Sequence, residues 1–254
     1  MTNDTPVRLV EEREGRVARL VLAAPPDNAL SLDVVDALAR HLTALERNTR
    51  LRVVTLEGEG PHFSSGFPVT QRRPPAIEHL LRAHHGIARR LVALQVPLVA
   101  KLRGISLGAG FELALLCHVV LADPTARLGF ADGALGAFPP LGSLLLPHRV
   151  GQTRAEQLLL AGTPIDGKTA ESMGLVTSCP GGWESLDEAA QRIVDTQLLA
   201  GSRTAQRAQL AAMRPWLDRV LGPELDANEH RFLEDVAASP DASEGISASL
   251  RGRA

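Results

Sequence analysis

The order of strand-like and helix-like segments constrains this fold more than any other feature of the sequence. Runs of β-branched residues and leucine predict strands at 7–12, 16–24, 52–58 and 97–104. Apolar residues at helical spacing predict the intervening helices, one capped by Ser31 and one carrying Ile77, Leu80 and Leu81. This alternation continues to about residue 180 and indicates an α/β fold. From about residue 184 the periodicity is helical almost throughout, which predicts a helical C-terminal region.

The composition argues against several classes of function. The 254 residues carry a formal net charge of −2 with both signs interspersed, so the chain lacks the basic surface that nucleic acids or anionic membranes attract. Cys117 and Cys179 are too few and too far apart for a disulfide framework or a metal cluster, and we expect no metal. The charged N-terminus is unlike a signal peptide, and no apolar run is long enough to span a bilayer. We therefore expect a cytoplasmic protein.

The segment from Gly104 to Glu112, GISLGAGFE, is the most informative part of the chain. A strand, a glycine-rich turn and a helix N-terminus together direct backbone N–H groups at whatever lies above the turn. The helix dipole adds positive potential at the same place. Such a site suits an anion, whether a phosphate, a carboxylate or a transient oxyanion.

Three interpretations of this turn differ in their chemistry. A dinucleotide fingerprint lacks its third glycine, because Leu113 stands in that position. A serine-hydrolase elbow matches G-x-S-x-G with Ser106 as nucleophile, although no glycine-rich oxyanion loop precedes it. The third interpretation is an enolate-stabilising hole with Glu112, expected in the first helical turn, as its acid or base. The simpler alternative is that Glu112 is a stabilising charge at a helix start.

Four blocks decide between these interpretations. Residues 62–67, HFSSGF, resemble the F-S-A-G-A-D segment of the enoyl-CoA hydratase/isomerase (crotonase) family. The stretch PLVAKLRGISLGAGFELALLCHVVLAD resembles its P-V-I-A-A-V-N-G-x-A-x-G-G-G-x-E-L-A-L-A-C-D motif. The blocks ARLGFADGALGAFPPLGSLLLPHRVG and SEGISASLRGR are similar to its third motif and its C-terminus. The blocks occur in the family's order and spacing, and the resemblance runs from about residue 7 to the end.

The resemblance implies a fold, an assembly and a substrate class. The expected fold is α/β, a crotonase-like spiral of ββα units, with residues 1–195 as the core that carries the CoA-thioester site. Residues 196–254 form the expected helical trimerisation region, in a homotrimer or a dimer of trimers. The expected substrate is an acyl-CoA thioester, with CoA as part of the substrate and no separate cofactor.

The same resemblance implies the site residues. The backbone N–H groups of Phe67 and Ala109 match those that hold the thioester oxygen, and Glu112 and Asp132 occupy the places of the two catalytic glutamates. Burial near Phe130 and Phe138 would raise the pKa of one carboxyl group, so that it donates while the other accepts. The expected substrate-binding positions are Ser65, Gly66, Gly108, Gly110, Phe138, Pro139 and Pro140.

The chain departs from the family pattern in ways that bear on the chemistry. Asp132 is one methylene shorter than glutamate, which sets its carboxylate back by about 1.5 Å. Either the pocket compensates for this or the reaction differs from simple hydration. Ala109 replaces a glycine, which is harmless if φ is negative there. The paired Pro139 and Pro140 resemble the cyclohexa-1,5-diene-1-carbonyl-CoA hydratases, and Pro140 is expected to reshape the acyl pocket.

The sequence thus predicts a lyase that adds water to, or removes it from, a 2-enoyl or cyclic dienoyl thioester of CoA. Within the family the alternative is a double-bond isomerase, in which one carboxylate carries the proton. A catalytically silent oligomeric scaffold is the alternative of another class, and a serine hydrolase using Ser106 is the least favoured. Arg72 and Arg73 are candidates to bind the phosphates of CoA, but we interpret them as solvated surface residues, as paired arginines more often are. We interpret Trp183 and Trp216 as packing anchors.

Overall fold

The computed structural model describes residues 5–181 and 184–252. Eight short strands alternate with helices in its first two thirds, as the sequence predicts. The strands are β1 Val7–Glu12, β2 Val17–Leu22, β3 Val53–Gly58, β4 Leu98–Leu102, β5 Ile105–Leu107, β6 Val119–Ala122, β7 Arg127–Gly129 and β8 Ile165–Asp166.

Helices cover the strands and make up the C-terminal part. The helices are α1 Leu32–Glu46, α2 Ala76–Ala93, α3 Gly108–Leu115, α4 Pro140–Val150, α5 Gln152–Ala161, α6 Gly167–Ser172, α7 Leu186–Ile193, α8 Arg203–Met213, α9 Pro215–Arg219, α10 Leu225–Arg231 and α11 Pro240–Leu250. Two short 3₁₀ turns, Val69–Gln71 and Asp132–Leu135, lie beside the site described below. Wider π-type turns occur at Val194–Leu198, Val220–Glu224 and Phe232–Val236.

The strands form two sheets joined by a turn at Arg103 and Gly104. The larger sheet has the order β1-β2-β3-β4-β6, and all its pairs are parallel except the β1–β2 hairpin. The smaller sheet has the order β5-β7-β8. Because the chain leaves β4 and enters β5 within three residues, one continuous segment serves both sheets and ends in α3. This stepwise advance from sheet to sheet agrees with the predicted ββα spiral.

The core lies between the large sheet and helices α1 and α2. The buried face of α2 carries apolar residues at intervals of three and four positions, and the same stripe includes His84. The central strands β3 and β4 are buried on both faces, which is why they read as continuous apolar runs. These two strands lead directly into the loops that build the site.

The helical C-terminal part follows from α7 onward. The predicted boundary between residues 195 and 196 falls inside one helical run, Leu186–Leu198, and the division at that point stays a prediction. Trp216 on α9 stacks on His148 with 4.1 Å between ring centroids, whereas Trp183 lies outside the described residues. Within the described ranges, no helix combines the length and the apolar character needed to cross a membrane.

Candidate active site

Two loops meet at the start of α3, and glycine makes their close approach possible. Gly66 has φ +82°, and a Cβ built on it would stand 2.8 Å from the Leu107 carbonyl oxygen and 3.2 Å from the Ala109 amide nitrogen. The Leu107 amide donates to the Ser64 carbonyl at 2.9 Å, which fixes the two loops against each other. Only glycine both adopts this positive φ readily and approaches the Leu107 carbonyl this closely, because any side chain would push the two loops apart.

The amides of Phe67 and Ala109 lie on the two sides of this contact. Ala109 is the second residue of α3, where helix amides have no acceptor within the helix. Across residues 5–181 and 184–252, neither amide donates a hydrogen bond to another backbone or side-chain group. Both residues are buried. The structure therefore brings together two buried, unengaged donors, one of them at the positive end of a helix dipole. Ala109 also avoids positive φ, so its methyl group is tolerated.

The Asp132 carboxylate lies beside the first residue of α3. A Cβ built on Gly108 would stand 3.3 Å from Oδ2 and 3.5 Å from Oδ1. Arg72 Nη1 donates to Oδ1 at 2.9 Å, and both side chains are only 8% exposed. Oδ2 is buried and has no hydrogen-bond partner in the described part of the chain. Asp132 is thus a paired carboxylate that lies beside Gly108 and has one oxygen without a partner in the described residues.

Glu112 lies on the same face of α3, four residues after Gly108, which is a rise of about 6 Å along the helix. Its Oε2 is 3.0 Å from Nε2 of His84, and its Oε1 accepts the Gly142 amide at 2.7 Å. Burial acts to raise the pKa of Glu112, but the His84 hydrogen bond, the charges of the two adjacent histidines and the Gly142 amide together lower it. Glu112 is therefore a carboxylate at neutral pH.

One expectation about Glu112 is wrong. Because α3 begins at Gly108, Glu112 lies in the second turn, where the helix dipole contributes little. The raised pKa expected for one of the two carboxyl groups is not that of Glu112, because the hydrogen-bond donors at both of its oxygens outweigh the effect of burial. The charge is stabilised by His84 and Gly142 and not by the helix start.

A cavity of about 340 Å³ opens beside Asp132. Its other lining residues are mostly apolar and come from the loop before α4 and from α4 and α5: Phe130, Gly133, Ala137, Phe138, Pro139, Ser143, Glu156, Leu159 and Leu160. This volume is at the lower end of the range for small-molecule sites. One wall is a carboxylate and the remainder is largely hydrocarbon, which suits an apolar group carrying a reactive centre at one end.

The chain matches the family model described as enoyl-CoA hydratase/isomerase over residues 12–252. It belongs to that family. A relative from Thauera aromatica, named cyclohexa-1,5-dienecarbonyl-CoA hydratase, is 35% identical over 98% of this chain and 95% of its own length. The 2,3-dehydroadipyl-CoA hydratase of Escherichia coli K12 is 32% identical over 96% of each chain. The resemblance stated from the four sequence blocks is confirmed.

The fold of this family member is also confirmed by solved structures. An enoyl-CoA hydratase from Mycobacterium avium subsp. paratuberculosis K-10 aligns with TM-score 0.84 and 26% identity, covering 98% of this chain and 96% of that one. An enoyl-CoA hydratase/isomerase from Xanthobacter autotrophicus Py2 aligns with TM-score 0.86 and 26% identity, covering 98% and 94%. The expected α/β crotonase-like architecture with a helical C-terminal region is therefore correct.

The structure places most of the predicted substrate-binding positions around the junction at α3. Gly66 and Gly108 form the close contacts described above. Gly110 faces Ser64, because a Cβ built on it would stand 2.6 Å from the Ser64 Cβ. Ser65 is partly exposed, and its amide donates to the Asp27 carbonyl at 3.0 Å.

The two prolines of the third motif have different positions. Phe138 and Pro139 line the cavity beside Asp132. Pro140 is buried as the first residue of α4, and its carbonyl accepts the Asn228 side-chain amide at 3.0 Å. It starts α4 and is not part of this cavity's wall in the described chain, and its expected role in shaping an acyl pocket stays a prediction.

Ser106 does not have the position that a hydrolase nucleophile needs. It is the middle residue of β5 and fully inaccessible, whereas an elbow serine projects from a strand-to-helix turn. Its hydroxyl has no hydrogen-bond partner in the described part of the chain, and a nucleophilic serine requires a base within reach. The match to G-x-S-x-G is a coincidence of spacing.

Two residues of the site are not assigned to it by the sequence analysis. Arg72 is buried against Asp132, so its interpretation as a solvated surface residue is wrong. Arg73 is exposed and donates to Ser247 at 2.8 Å. The signal for His84 is present in the sequence, since it falls on the apolar stripe of α2 and a buried imidazole needs a polar partner.

Proposed function

We propose that this family member adds water to, or removes it from, a 2-enoyl or cyclic dienoyl thioester of CoA. The observation that carries the proposal is the pair of unengaged amides, Phe67 and Ala109, beside two buried carboxylates. The relatives named as hydratases of CoA thioesters support the same reaction class. CoA enters as part of the substrate, and the reaction needs no separate cofactor.

The two amides are the proposed oxyanion hole. Attack of water on C3 of the enoyl group moves an electron pair onto the thioester oxygen, where the enolate charge collects. One fixed donor in a dry site contributes about 3 kcal/mol to such a transition state. Backbone donors at Phe67 and Ala109 would supply this without side-chain reorganisation, because the Gly66 contact fixes the spacing of their loops.

The two carboxylates handle the protons. The water oxygen bonds to C3 while one water proton passes to a carboxylate. The resulting carboxylic acid then protonates C2 as the enolate collapses. Asp132 Oδ2 is the proposed proton carrier because it has no internal partner in the described residues. Glu112 is held as a carboxylate and each of its oxygens keeps a second acceptor direction, so it orients the water. Positioned groups of this kind contribute roughly 10²–10⁴-fold.

The cavity beside Asp132 is the proposed acyl site. Its mostly apolar lining suits a compact hydrocarbon group, and an acyl group bound there would have C2 and C3 near Asp132. The likeness to the Thauera aromatica relative favours a cyclic dienoyl group over a long linear chain. We further propose a homotrimer or a dimer of trimers, for which exposed apolar residues such as Leu160 and Met213 offer contact surface.

Turnover of defined thioesters tests the proposal. We expect the purified protein to hydrate crotonyl-CoA or cyclohexa-1,5-diene-1-carbonyl-CoA. The reaction is monitored by the decrease in absorbance of the conjugated thioester. Asp132→Asn should lower kcat by roughly 10²-fold or more, since the proton carrier is lost. Tight binding of CoA thioesters without turnover of either substrate would instead support a silent scaffold.

Double-bond isomerisation is the second candidate, and one observation favours it. Both oxygens of Glu112 are engaged by protein donors, whereas Asp132 has one free oxygen. A single proton carrier is sufficient to move a proton between two carbons, whereas hydration also has to position water. The rate of 3-enoyl-CoA isomerisation relative to that of crotonyl-CoA hydration distinguishes the two reactions.

A further inference from the structure

Arg72 connects the two halves of the site. Its Nη1 donates to Asp132 Oδ1 at 2.9 Å, and its Nε donates to the Phe67 carbonyl at 3.3 Å. The guanidinium carbon lies 6.0 Å from the centroid of the Phe67 ring. One buried side chain therefore contacts both the residue that offers an amide to the oxyanion and the carboxylate that carries the proton.

We propose that Arg72 is a positioning residue that makes the short Asp132 side chain competent in place of glutamate. The inference rests on the proposed hydration and deepens it. Arg72 binds Oδ1, so the Asp132 carboxylate is fixed beside Gly108, and Oδ2 is the oxygen left without a partner among the described residues. It also fixes the distance between that oxygen and the Phe67 segment, because both are bound to one planar group.

The geometry gives the reason why such a tether is needed. An aspartate carboxylate can rotate about its Cβ–Cγ bond, and either oxygen then faces the substrate. In a buried site an unpaired carboxylate is also strongly disfavoured, so a lone Asp132 would turn towards another donor. The ion pair removes both possibilities, and Gly108 leaves the space beside which the carboxylate lies.

The first experiment compares neighbouring arginines. Arg72→Gln should lower kcat about 30- to 100-fold with KM changed less than threefold, as a misplacement of about 1 Å in the catalytic group would do. Arg73→Gln is the matched control, because Arg73 is exposed and contacts Ser247. A kcat for Arg72→Gln within twofold of wild type, or an equal loss in both variants, would overturn the inference.

The second experiment uses the length of the carboxylate side chain. With Arg72 present, Asp132→Glu should lower kcat at least tenfold, because the added methylene pushes the carboxylate into the space above Gly108. In the Arg72→Ala background, the same change should raise kcat, because the longer side chain then has room and reaches the reacting carbons unaided. If the fold-losses in kcat of Arg72→Ala and Asp132→Glu multiply to give that of the double variant within a factor of two, the two residues act independently and the tether is contradicted.

A structural measurement separates this inference from the proposed reaction. In a crystal structure of Arg72→Gln, the Asp132 carboxylate should be turned away from Gly108, whatever the substrate is. An unchanged carboxylate would overturn the tether even if wild type hydrates enoyl thioesters. If Arg72→Gln fails to fold, Arg72→Lys takes its place, since it keeps the charge but contacts only one of Phe67 and Asp132. Full kcat in Arg72→Lys would likewise refute the inference.

Discussion

Alanine at Gly66 should impair both stability and turnover, and Gly60 provides the matched comparison. Both glycines have positive φ, +82° at Gly66 and +76° at Gly60. An alanine in this conformation costs roughly 1–2 kcal/mol. Apart from its own and adjoining residues, no atom of residues 5–181 and 184–252 lies within 4 Å of a Cβ built on Gly60, so Gly60→Ala should lower the free energy of unfolding by that amount alone.

Gly66→Ala adds a steric contact to the same conformational cost. Its Cβ would stand 2.8 Å from the Leu107 carbonyl oxygen and 3.2 Å from the Ala109 nitrogen, so the two loops must separate. Overpacking of this kind costs roughly 1–3 kcal/mol, which gives a total of about 2–5 kcal/mol. Because the proposed oxyanion donors lie on these two loops, kcat should fall about 10- to 100-fold.

Urea denaturation and steady-state kinetics on the two variants measure these quantities. We expect Gly60→Ala to keep a kcat within twofold of wild type while losing some stability. If Gly66→Ala were as active as Gly60→Ala, the spacing of the Phe67 and Ala109 amides would not matter for turnover. If the two variants lost equal stability, the loop contact itself would be absent.

Three further predictions concern single residues. The pKa of Glu112 is lower in the folded state than its unfolded value near 4.5, so the ionised side chain stabilises the fold above pH 4.5. This stabilisation is lost as the pH falls through the folded pKa. Between the two pKa values, the unfolding free energy of wild type should therefore decrease with falling pH more steeply than that of Glu112→Gln. Ser106→Ala should keep kcat within twofold, and a fluorophosphonate should leave wild type unlabelled, whereas labelling of Ser106 would revive the hydrolase interpretation. Phe138→Ala should enlarge the acyl cavity and raise kcat/KM for a bulkier enoyl thioester relative to crotonyl-CoA about tenfold; an unchanged ratio would place the acyl group elsewhere.

The individual elements and the α/β class were predictable because their signals are local, whereas the spiral arrangement was implied by the family resemblance. The β1–β2 hairpin, the α1 and α2 stripes and the glycine-rich turn before α3 each depend on residues close together in the chain. The start of α3 differs from the expectation drawn from the sequence. Gly108 begins the helix with φ +51°, and this placed Glu112 one turn further along than the spacing suggested.

The partners of the two carboxylates were not predictable in the same way. Asp132 and Arg72 are 60 residues apart, and Glu112 and His84 are 28 apart. Their pairing depends on how the spiral brings α2, α3 and the loop before α4 together, and no local pattern encodes that. The stripe on α2 indicates that His84 is buried, but it does not indicate which carboxylate the imidazole reaches.

The proposed mechanism requires the Phe67 and Ala109 amides to face one thioester oxygen. A crystal structure with a bound, unreactive acyl-CoA thioester measures this directly. We predict that the thioester carbonyl oxygen lies about 2.7–3.1 Å from both the Phe67 and the Ala109 amide nitrogens, with C2 and C3 beside Asp132. A carbonyl oxygen directed at a side chain or at solvent, with either amide out of hydrogen-bond range, would contradict the account.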